Sequence, residues 1–231
     1  MTANLGELMQ SYGSDKGPSG HNFTKFYTLF FAPIKDSVKR VLEIGVSEGY
    51  SLEAWRDYFI NAEVHGIDSA RISEHRGRDI LNLNSDRIKI HIGDQMDREF
   101  LQNVADIHGP FDIIVDDGSH KSTDQLFSFY ALFPYLKSGG YYVIEDIFDS
   151  YDGSKFSGLR PRSFVATMKD HIDIVNFYGA TNVGDRHKAI PIVEKLIGQN
   201  FSEGSPDRNL ESIFFSDNLV IVKKLGVTQD E

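Results

Sequence analysis

Cysteine is absent from the 231 residues of this sequence. Its absence excludes disulfide bonds, a thiol nucleophile and a thiolate metal site. The sequence also has no apolar run approaching the ~20 residues of a membrane span, and Met1–Glu7 lacks the basic and apolar regions of a signal peptide. We therefore expect a cytoplasmic protein with no membrane partner.

Basic residues are comparatively few, with 24 Lys and Arg against 34 Asp and Glu and a formal net charge of −10. Nucleic acid is an unfavourable partner for such a chain, because phosphate binding requires clustered Lys and Arg. At 40% hydrophobic residues, a chain of this length can bury roughly 70 to 75% of its unfolded surface as one domain. We expect a single domain over 1–231, with a helical segment at 1–38 and a core at 39–225.

Strand-like apolar runs alternate with helical patterns over most of the sequence, which is typical of a parallel sheet built from βαβ units. Five runs predict strands in this part: Val41–Gly45, Glu63–Asp68, Ile88–Gly93, Phe111–Asp116 and Tyr141–Ile144. The spacing of apolar residues predicts helices at Leu52–Ile60, Arg98–Ile107 and Thr123–Leu136.

The alternation changes after Ile147. Two β-rich runs around the turn residues Ser216–Asn218 predict a terminal antiparallel hairpin formed by Ser212–Phe215 and Leu219–Val222. The region before it is predicted to contain a loop (Ser150–Gly158), a helix (Arg162–His171), a strand (Ile172–Tyr178) and a short helix (Ile192–Ile197).

The first forty residues stand apart from this pattern. Asn4–Tyr12 and Phe23–Ile34 are predicted helices, and Gly13–Gly20 between them has the composition of a loop. This segment is interpreted as a lid over an active site, while an ordinary connection between helices fits the composition equally well. A substrate contact is conceivable for Asp15, Lys16, His21 and Tyr27, but ordinary structural roles are the simpler interpretation.

A glycine-containing loop, Glu43–Gly49, joins the first predicted strand to the first following helix. Tight turns of this kind let a ligand approach the backbone. The loop is not a clean dinucleotide fingerprint, because the acid Glu48 would repel a pyrophosphate at the helix start. The acid favours a positively charged ligand without phosphate, and S-adenosylmethionine fits this description.

Further acidic and polar residues follow the neighbouring strands. Asp68 ends the second strand, where a carboxylate can accept hydrogen bonds from ribose hydroxyls. Asp94 and Gln95 follow the third strand, near the expected adenine. The candidate cofactor-binding residues are Glu43, Gly45, Ser47, Gly49, Asp68, Asp94, Gln95 and Asp116.

Acid clusters end the fourth and fifth strands. Asp117, Glu145 and Asp146 would converge if these strands are neighbours, because ligands of open α/β sheets collect at the carboxyl ends of parallel strands. Carboxylate oxygens suit Mg²⁺, with Mn²⁺ as an alternative ion. His120 is the candidate general base. Direct coordination by His120 would instead suit iron, manganese or zinc.

The motifs together resemble those of a known enzyme family. The carriers are Gly13–Gly17 followed by His21 and Tyr27, then Leu42–Val46, Gly66–Asp68, Asp116–His120, Val143–Asp146 and Asp217–Val220. In these motifs the sequence resembles class I S-adenosylmethionine-dependent methyltransferases, and more narrowly the metal-dependent sugar O-methyltransferases of the macrocin and mycinamicin type. It lacks the long amino-terminal extension of the macrolide enzymes.

The resemblance implies a Rossmann-like, doubly wound α/β fold with a seven-stranded, mostly parallel sheet whose last strand is inserted antiparallel. It also implies Mg²⁺ on Asp117, Glu145 and Asp146, and His120 as the base. The expected reaction transfers a methyl group from S-adenosylmethionine to a sugar hydroxyl on a small natural product or glycoside, and a homo-oligomer is an open expectation. The alternatives are a catechol-type O-methyltransferase, a dehydrogenase or metal-dependent oxidoreductase, and a non-catalytic cofactor-binding protein.

Overall fold

Seven strands form one sheet in the order β3-β2-β1-β4-β5-β7-β6. The computed structural model describes residues 4–73, 76–151, 163–180, 190–192, 194–195 and 204–226, with the backbone alone at 177–180. The strands are β1 (Arg40–Ile44), β2 (Glu63–Asp68), β3 (Ile88–Ile92), β4 (Phe111–Asp116), β5 (Leu136–Glu145), β6 (Leu210–Ser216) and β7 (Leu219–Lys224).

The first five strands pair in parallel, and β7 runs antiparallel to both β5 and β6. This arrangement confirms the predicted doubly wound sheet and its terminal hairpin. The order of the strands reverses beside β1, because β2 and β3 lie on one side of β1 and β4 lies on the other. Ligands of open α/β sheets bind at such a switch point, outside the carboxyl ends of the strands.

Helices cover both faces of the sheet. Helix α4 shows how the sequence sets their ends: the Asp97 side chain accepts a hydrogen bond from Phe100 N at the start, and Gly109 with Pro110 follows the last residue. The longer helices are α1 (Leu5–Tyr12), α2 (Thr24–Phe31), α3 (Tyr50–Tyr58), α4 (Arg98–His108), α5 (Ser122–Leu132) and α6 (Phe164–Ala180).

Two hydrophobic cores lie on opposite faces. One contains residues of α1, α2 and α3, including the fully buried Tyr27, Phe31 and Trp55. The other contains residues of α4, α5 and α6, including Phe129 and Phe164. The amino-terminal helices are thus part of the core, and a lid function, which stays a prediction, would fall to the loop between them.

Some predicted elements differ from the structure, and others lie partly outside the described residues. Residues 172–176 are helical and belong to α6, so the predicted strand Ile172–Tyr178 is wrong. Helix α5 ends at Leu132 rather than Leu136 because Pro134 follows, and proline lacks the amide hydrogen that a helix interior needs. Most of the predicted loop Ser150–Gly158, and residues 193, 196 and 197 of the predicted helix Ile192–Ile197, lie outside the described residues.

Among the described residues, no helix combines the length and apolar character needed to cross a bilayer.

Candidate active site

A cavity of about 510 Å³ opens at the carboxyl ends of β1, β2, β4 and β5. Its size suits a small molecule rather than a macromolecule. The loops after these strands and the loop before α2 supply its walls. The lining residues are Gly13–Lys16, Gly45–Ser51, Asp68–Ala70, Ser73, Arg76, Asp117, Gly118, His120 and Asp146.

The loop after β1 forms one wall and requires glycine at its start. Gly45 has φ of +88°, and a Cβ atom there would lie 2.0 Å from the carbonyl oxygen of Asp117. The Asp68 carboxylate orders the same loop, because its Oδ2 accepts hydrogen bonds from the amides of Val46 and Ser47, both at 2.9 Å. Gly45, Ser47, Gly49 and Asp68 therefore all lie at the cavity.

Glu43 lies beneath this loop rather than in it. Its carboxylate is fully buried and accepts hydrogen bonds from Ser51 Oγ at 2.8 Å and Trp55 Nε1 at 2.9 Å. Burial raises the pKa of Glu43 to about 7. Glu43 is not among the described residues that line the cavity, so its placement favours support of the loop over the predicted contact with the cofactor's amino acid group.

Glu48, the acid that argued against a pyrophosphate, lies in the cavity wall and is buried. The Ser73 hydroxyl donates a hydrogen bond to its Oε1. Its other oxygen, Oε2, is buried and accepts no hydrogen bond in the structure. An unsatisfied buried carboxylate oxygen favours a ligand that brings a donor or a positive charge.

Three further candidate residues, Asp94, Gln95 and Asp116, are not among the described residues that line the cavity. Asp94 Oδ1 accepts from Met96 N at 2.8 Å in a turn, and the buried Asp116 accepts from the hydroxyl of Ser128. Gln95 Oε1 accepts from Ser119 N at 2.7 Å, while its buried Nε2 has no hydrogen-bond partner. Gln95 Nε2 is therefore a buried donor that a ligand could satisfy.

Asp117, His120 and Asp146 converge on one side of the cavity. His120 Nε2 lies 3.0 Å from Asp117 Oδ1 and 3.6 Å from Asp146 Oδ2, and one ligand atom of each residue lies within 4.8 Å of the others. The hydrogen bond to Asp117 raises the pKa of His120, and burial raises that of Asp146. Two carboxylates and an imidazole at this spacing can surround a divalent cation.

Glu145 has different partners from the other two acids. Lys16 Nζ donates to Glu145 Oε2 at 2.9 Å, and the Tyr27 hydroxyl donates to Oε1. Lys16 Nζ also donates to Asp117 and lies 3.5 Å from Glu43 Oε1. Burial would lower the pKa of the Lys16 ammonium, but these three carboxylates raise it well above its usual value. Both oxygens of Glu145 are thus occupied by side chains of the amino-terminal segment.

The sequence alone favours ordinary structural roles for Lys16 and Tyr27, and it does not predict their contacts with the acids. Both residues nevertheless lie in the motifs that carry the family resemblance. Their contacts depend on where the loop after α1 crosses the sheet, which local patterns do not reveal.

The backbone is strained at this site. Among the described residues, five non-glycine residues have positive φ, and three of them line the cavity: Ser47 (49°), His120 (61°) and Asp146 (52°). A fourth, Asn218, donates a hydrogen bond from its side chain to Asp146. Such conformations cost about 1 to 3 kcal/mol each and cluster at functional sites.

A family model described as a methyltransferase domain matches residues 42–147, a range that begins within β1, ends just after β5 and includes the converging acids. Over this range the chain is similar to methyltransferase domains. The match confirms the family resemblance that the motifs indicated.

Two relatives of this chain are O-methyltransferases by name. The chain is 36% identical over 75% of its length to an 8-demethyl-8-(2-methoxy-alpha-L-rhamnosyl)-tetracenomycin-C 3'-O-methyltransferase of Streptomyces olivaceus, covering 45% of that protein. It is 32% identical over 95% of its length to the mycinamicin VI 2''-O-methyltransferase of Micromonospora griseorubida, covering 52% of that protein. The chain thus spans about half the length of these relatives.

This chain also resembles a solved structure along the whole length of the chain. The MycE methyltransferase of the mycinamycin biosynthetic pathway, solved with Mg, SAH and mycinamycin VI, matches 100% of this chain and 57% of its own. The TM-score is 0.76 at 30% sequence identity. The fold predicted from the resemblance is therefore confirmed.

Proposed function

We propose that this chain transfers a methyl group from S-adenosylmethionine to a sugar hydroxyl of a small natural product or glycoside, with Mg²⁺ as cofactor and His120 as general base. The observation that carries the proposal is the convergence of Asp117, His120 and Asp146 beside the glycine-containing loop after β1. The relatives described above support a sugar acceptor over the catechol-type and oxidoreductase alternatives.

The cofactor would occupy the half of the cavity formed by Gly45–Gly49 and Asp68. Glu48 Oε2 supports a cationic ligand there, because it is buried and lacks a donor. Gln95 Nε2, buried behind Gly118, is an unpaired donor for a base or ribose edge. Glu43, Asp94 and Asp116 would act indirectly, by holding the loops that carry these groups.

Asp117 and Asp146 would hold the metal ion. Their oxygens fit Mg²⁺, a hard cation that prefers carboxylate and water ligands, and Mn²⁺ accepts the same set. Glu145, the third predicted ligand, could join only after Lys16 releases its Oε2 atom. Bound Mg²⁺ would lower the pKa of the acceptor hydroxyl and fix its oxygen in place.

His120 would accept the proton of the acceptor hydroxyl. Asp117 orients the imidazole through the 3.0 Å hydrogen bond, and the positive φ of His120 aims the ring into the cavity. A positioned histidine contributes about 10²- to 10⁴-fold as a general base. Holding the hydroxyl in line with the methyl group supplies much of the remaining rate, because the methylsulfonium is already electrophilic.

Calorimetric titration with S-adenosylmethionine tests the proposal, with Mg²⁺ and with EDTA, alongside methyl transfer to paired glycosides and their aglycones. We expect cofactor binding and metal-dependent turnover on the glycosides, loss of turnover in Asp146→Asn, and unchanged turnover in Asp86→Asn, which alters an exposed carboxylate. Absence of cofactor binding would refute the methyltransferase assignment. Equal turnover in EDTA would refute the metal's role.

A further inference from the structure

Three histidines form a cluster on the α4 face of the sheet. His65 lies in β2, His91 in the edge strand β3, and His108 is the last residue of α4. One ring nitrogen of each lies within 4.8 Å of the others. The ring centroids are separated by 4.7 to 5.5 Å. Three imidazoles from three elements thus share one small volume.

The closest pair already has the spacing of two ligands on one ion. His65 Nδ1 lies 3.2 Å from His91 Nε2. Two imidazole nitrogens bound to tetrahedral Zn²⁺ at 2.0–2.1 Å would be separated by about 3.3 Å. His65 is fully buried, and its Nε2 makes no hydrogen bond in the structure. Glu63 Oε1 lies only 2.8 Å from this nitrogen, but the angle between them is unsuitable for a hydrogen bond. A carboxylate beside the far nitrogen is common in zinc-bound histidine.

Burial keeps the His65 and His91 rings in the neutral state that metal binding needs. Burial, reinforced by neighbouring charges, lowers the pKa of His65 to about 3, and burial lowers that of His91 to about 4. Both rings are therefore neutral near pH 7, and a neutral ring offers a lone pair to a metal ion. The basic side chains of Arg40 and Lys89 contribute to the low pKa of His65 and oppose any bound cation.

We propose that His65, His91 and His108 form a second metal site, for Zn²⁺ or a similar transition ion, which is separate from the acid cluster of the active site. Imidazole ligands favour Zn²⁺ over Mg²⁺, which takes oxygen ligands. His91 and His108 are half-buried, so water can supply the remaining ligand. A metal ion at this site would link β3, β2 and α4.

A metal ion at this site would also affect the proposed cofactor site, because the two sites are close in sequence. His91 precedes Asp94 and Gln95 by only a few residues, and these lie in the loop between β3 and α4. An ion holding His91 against His65 and His108 would anchor both ends of the segment that carries this loop. Its role would be structural, because none of the three histidines lines the active-site cavity.

Zinc titration of the full chain in excess Mg²⁺ tests this site. The variants are His91→Gln and His108→Gln, both at half-buried positions, with Asp117→Asn as the control that alters the acid cluster and leaves the histidines intact. We expect one zinc ion bound by the wild type and by Asp117→Asn. Loss of a ligand should weaken zinc affinity at least about 10-fold, since even outer-shell changes cost 10- to 100-fold.

Thermal unfolding supplies a second measurement on the same proteins. Zinc should raise the melting temperature of the wild type and of Asp117→Asn more than that of His91→Gln, because it binds the folded state. Equal zinc affinity in the wild type and both histidine variants would overturn the proposal. Loss of zinc binding in Asp117→Asn alone would assign the ion to the active site and overturn it as well.

Discussion

His120 combines a strained backbone with a hydrogen bond to the acid that would hold the metal. We expect His120→Ala to lower turnover by at least about 10²-fold, because the general base is lost. Binding of S-adenosylmethionine should stay close to that of the wild type, since the ring lies on the acid side of the cavity. Steady-state kinetics and calorimetry measure the two effects.

The adjacent Lys121→Ala, which alters an exposed side chain, is the control for this variant and should keep full turnover. Turnover of His120→Ala within a factor of about two of the wild type would remove the ring from the mechanism.

Glu43 should make folding stability depend on pH. Its pKa is about 7 in the folded state against 4.5 for an unperturbed glutamate, so the folded protein holds the proton more tightly. The free energy of unfolding of the wild type, relative to Glu43→Gln, should therefore fall as pH rises from about 5 to about 8. The limit is about 3 kcal/mol, at about 1.4 kcal/mol for each pKa unit.

Urea denaturation of both proteins across this pH range measures the difference. Glu99→Gln, which replaces an exposed acid in α4, is the control for removing a carboxylate from the surface. Parallel curves for the wild type and Glu43→Gln would contradict the raised pKa.

Sequence reasoning at this scale located residues better than it oriented them. Asp117, His120 and Asp146 follow strand ends, and the parallel sheet brings such positions together whatever the details of packing. Glu43 lies one residue before the end of β1, where side chains alternate between faces, and it points into the core. Strand position alone does not tell which face holds the ligand.

Among the elements, the turn after β1 depends most strongly on one residue. Gly45→Ala would combine a positive φ with a contact of 2.0 Å to the Asp117 backbone. We expect a large loss of stability and of cofactor binding, because neither backbone can move without disturbing the site. Denaturation and calorimetry of the variant measure these losses.

Gly139→Ala is the matched control. Gly139 also has a positive φ, at +77°, but a Cβ there would meet nothing within 4 Å. It should lose only the conformational cost of about 1 to 2 kcal/mol. Equal losses for the two variants would show that the close approach at Gly45 is unimportant.

The prediction of a strand at Ile172–Tyr178, where the structure has the helix α6, has a simple explanation. Ile172, Ile174 and the polar residues between and after them alternate over a short window, which favours a strand. Over a longer window, the buried residues of α6 recur at helical spacing, at Val165, Met168, His171 and Ile174. The first four strands of the sheet match their predicted ranges closely, because turn residues bound each apolar run. The fifth was predicted too short: β5 begins at Leu136 rather than Tyr141, because the polar and glycine residues Lys137–Gly140 hide its first half.

Across the whole molecule, Lys16 connects the amino-terminal segment to the ends of β4 and β5. Lys16→Met would leave the buried Glu145 and the half-buried Asp117 without the ammonium group that contacts both. We expect it to lower the free energy of unfolding by about 3 to 5 kcal/mol, the range for a broken buried ion pair. Mg²⁺ should stabilise this variant more than the wild type, because the ion no longer competes with an ammonium.

Urea denaturation with Mg²⁺ and with EDTA measures both effects. Lys137→Met removes a more exposed ion pair with Asp112 and should cost at most about 1 kcal/mol. Similar losses in the two variants would show that Lys16 is not a specific connection.

The only tryptophan of the chain, Trp55, lies fully buried beneath this connection, with Nε1 on Glu43 and its ring 5.5 Å from that of Tyr27. Intrinsic tryptophan emission therefore originates at one point, next to the groups that Lys16 joins. A ligand that displaces Lys16 would alter the charge around this indole. The fluorescence of the unlabelled protein should therefore respond when a ligand binds beside Lys16.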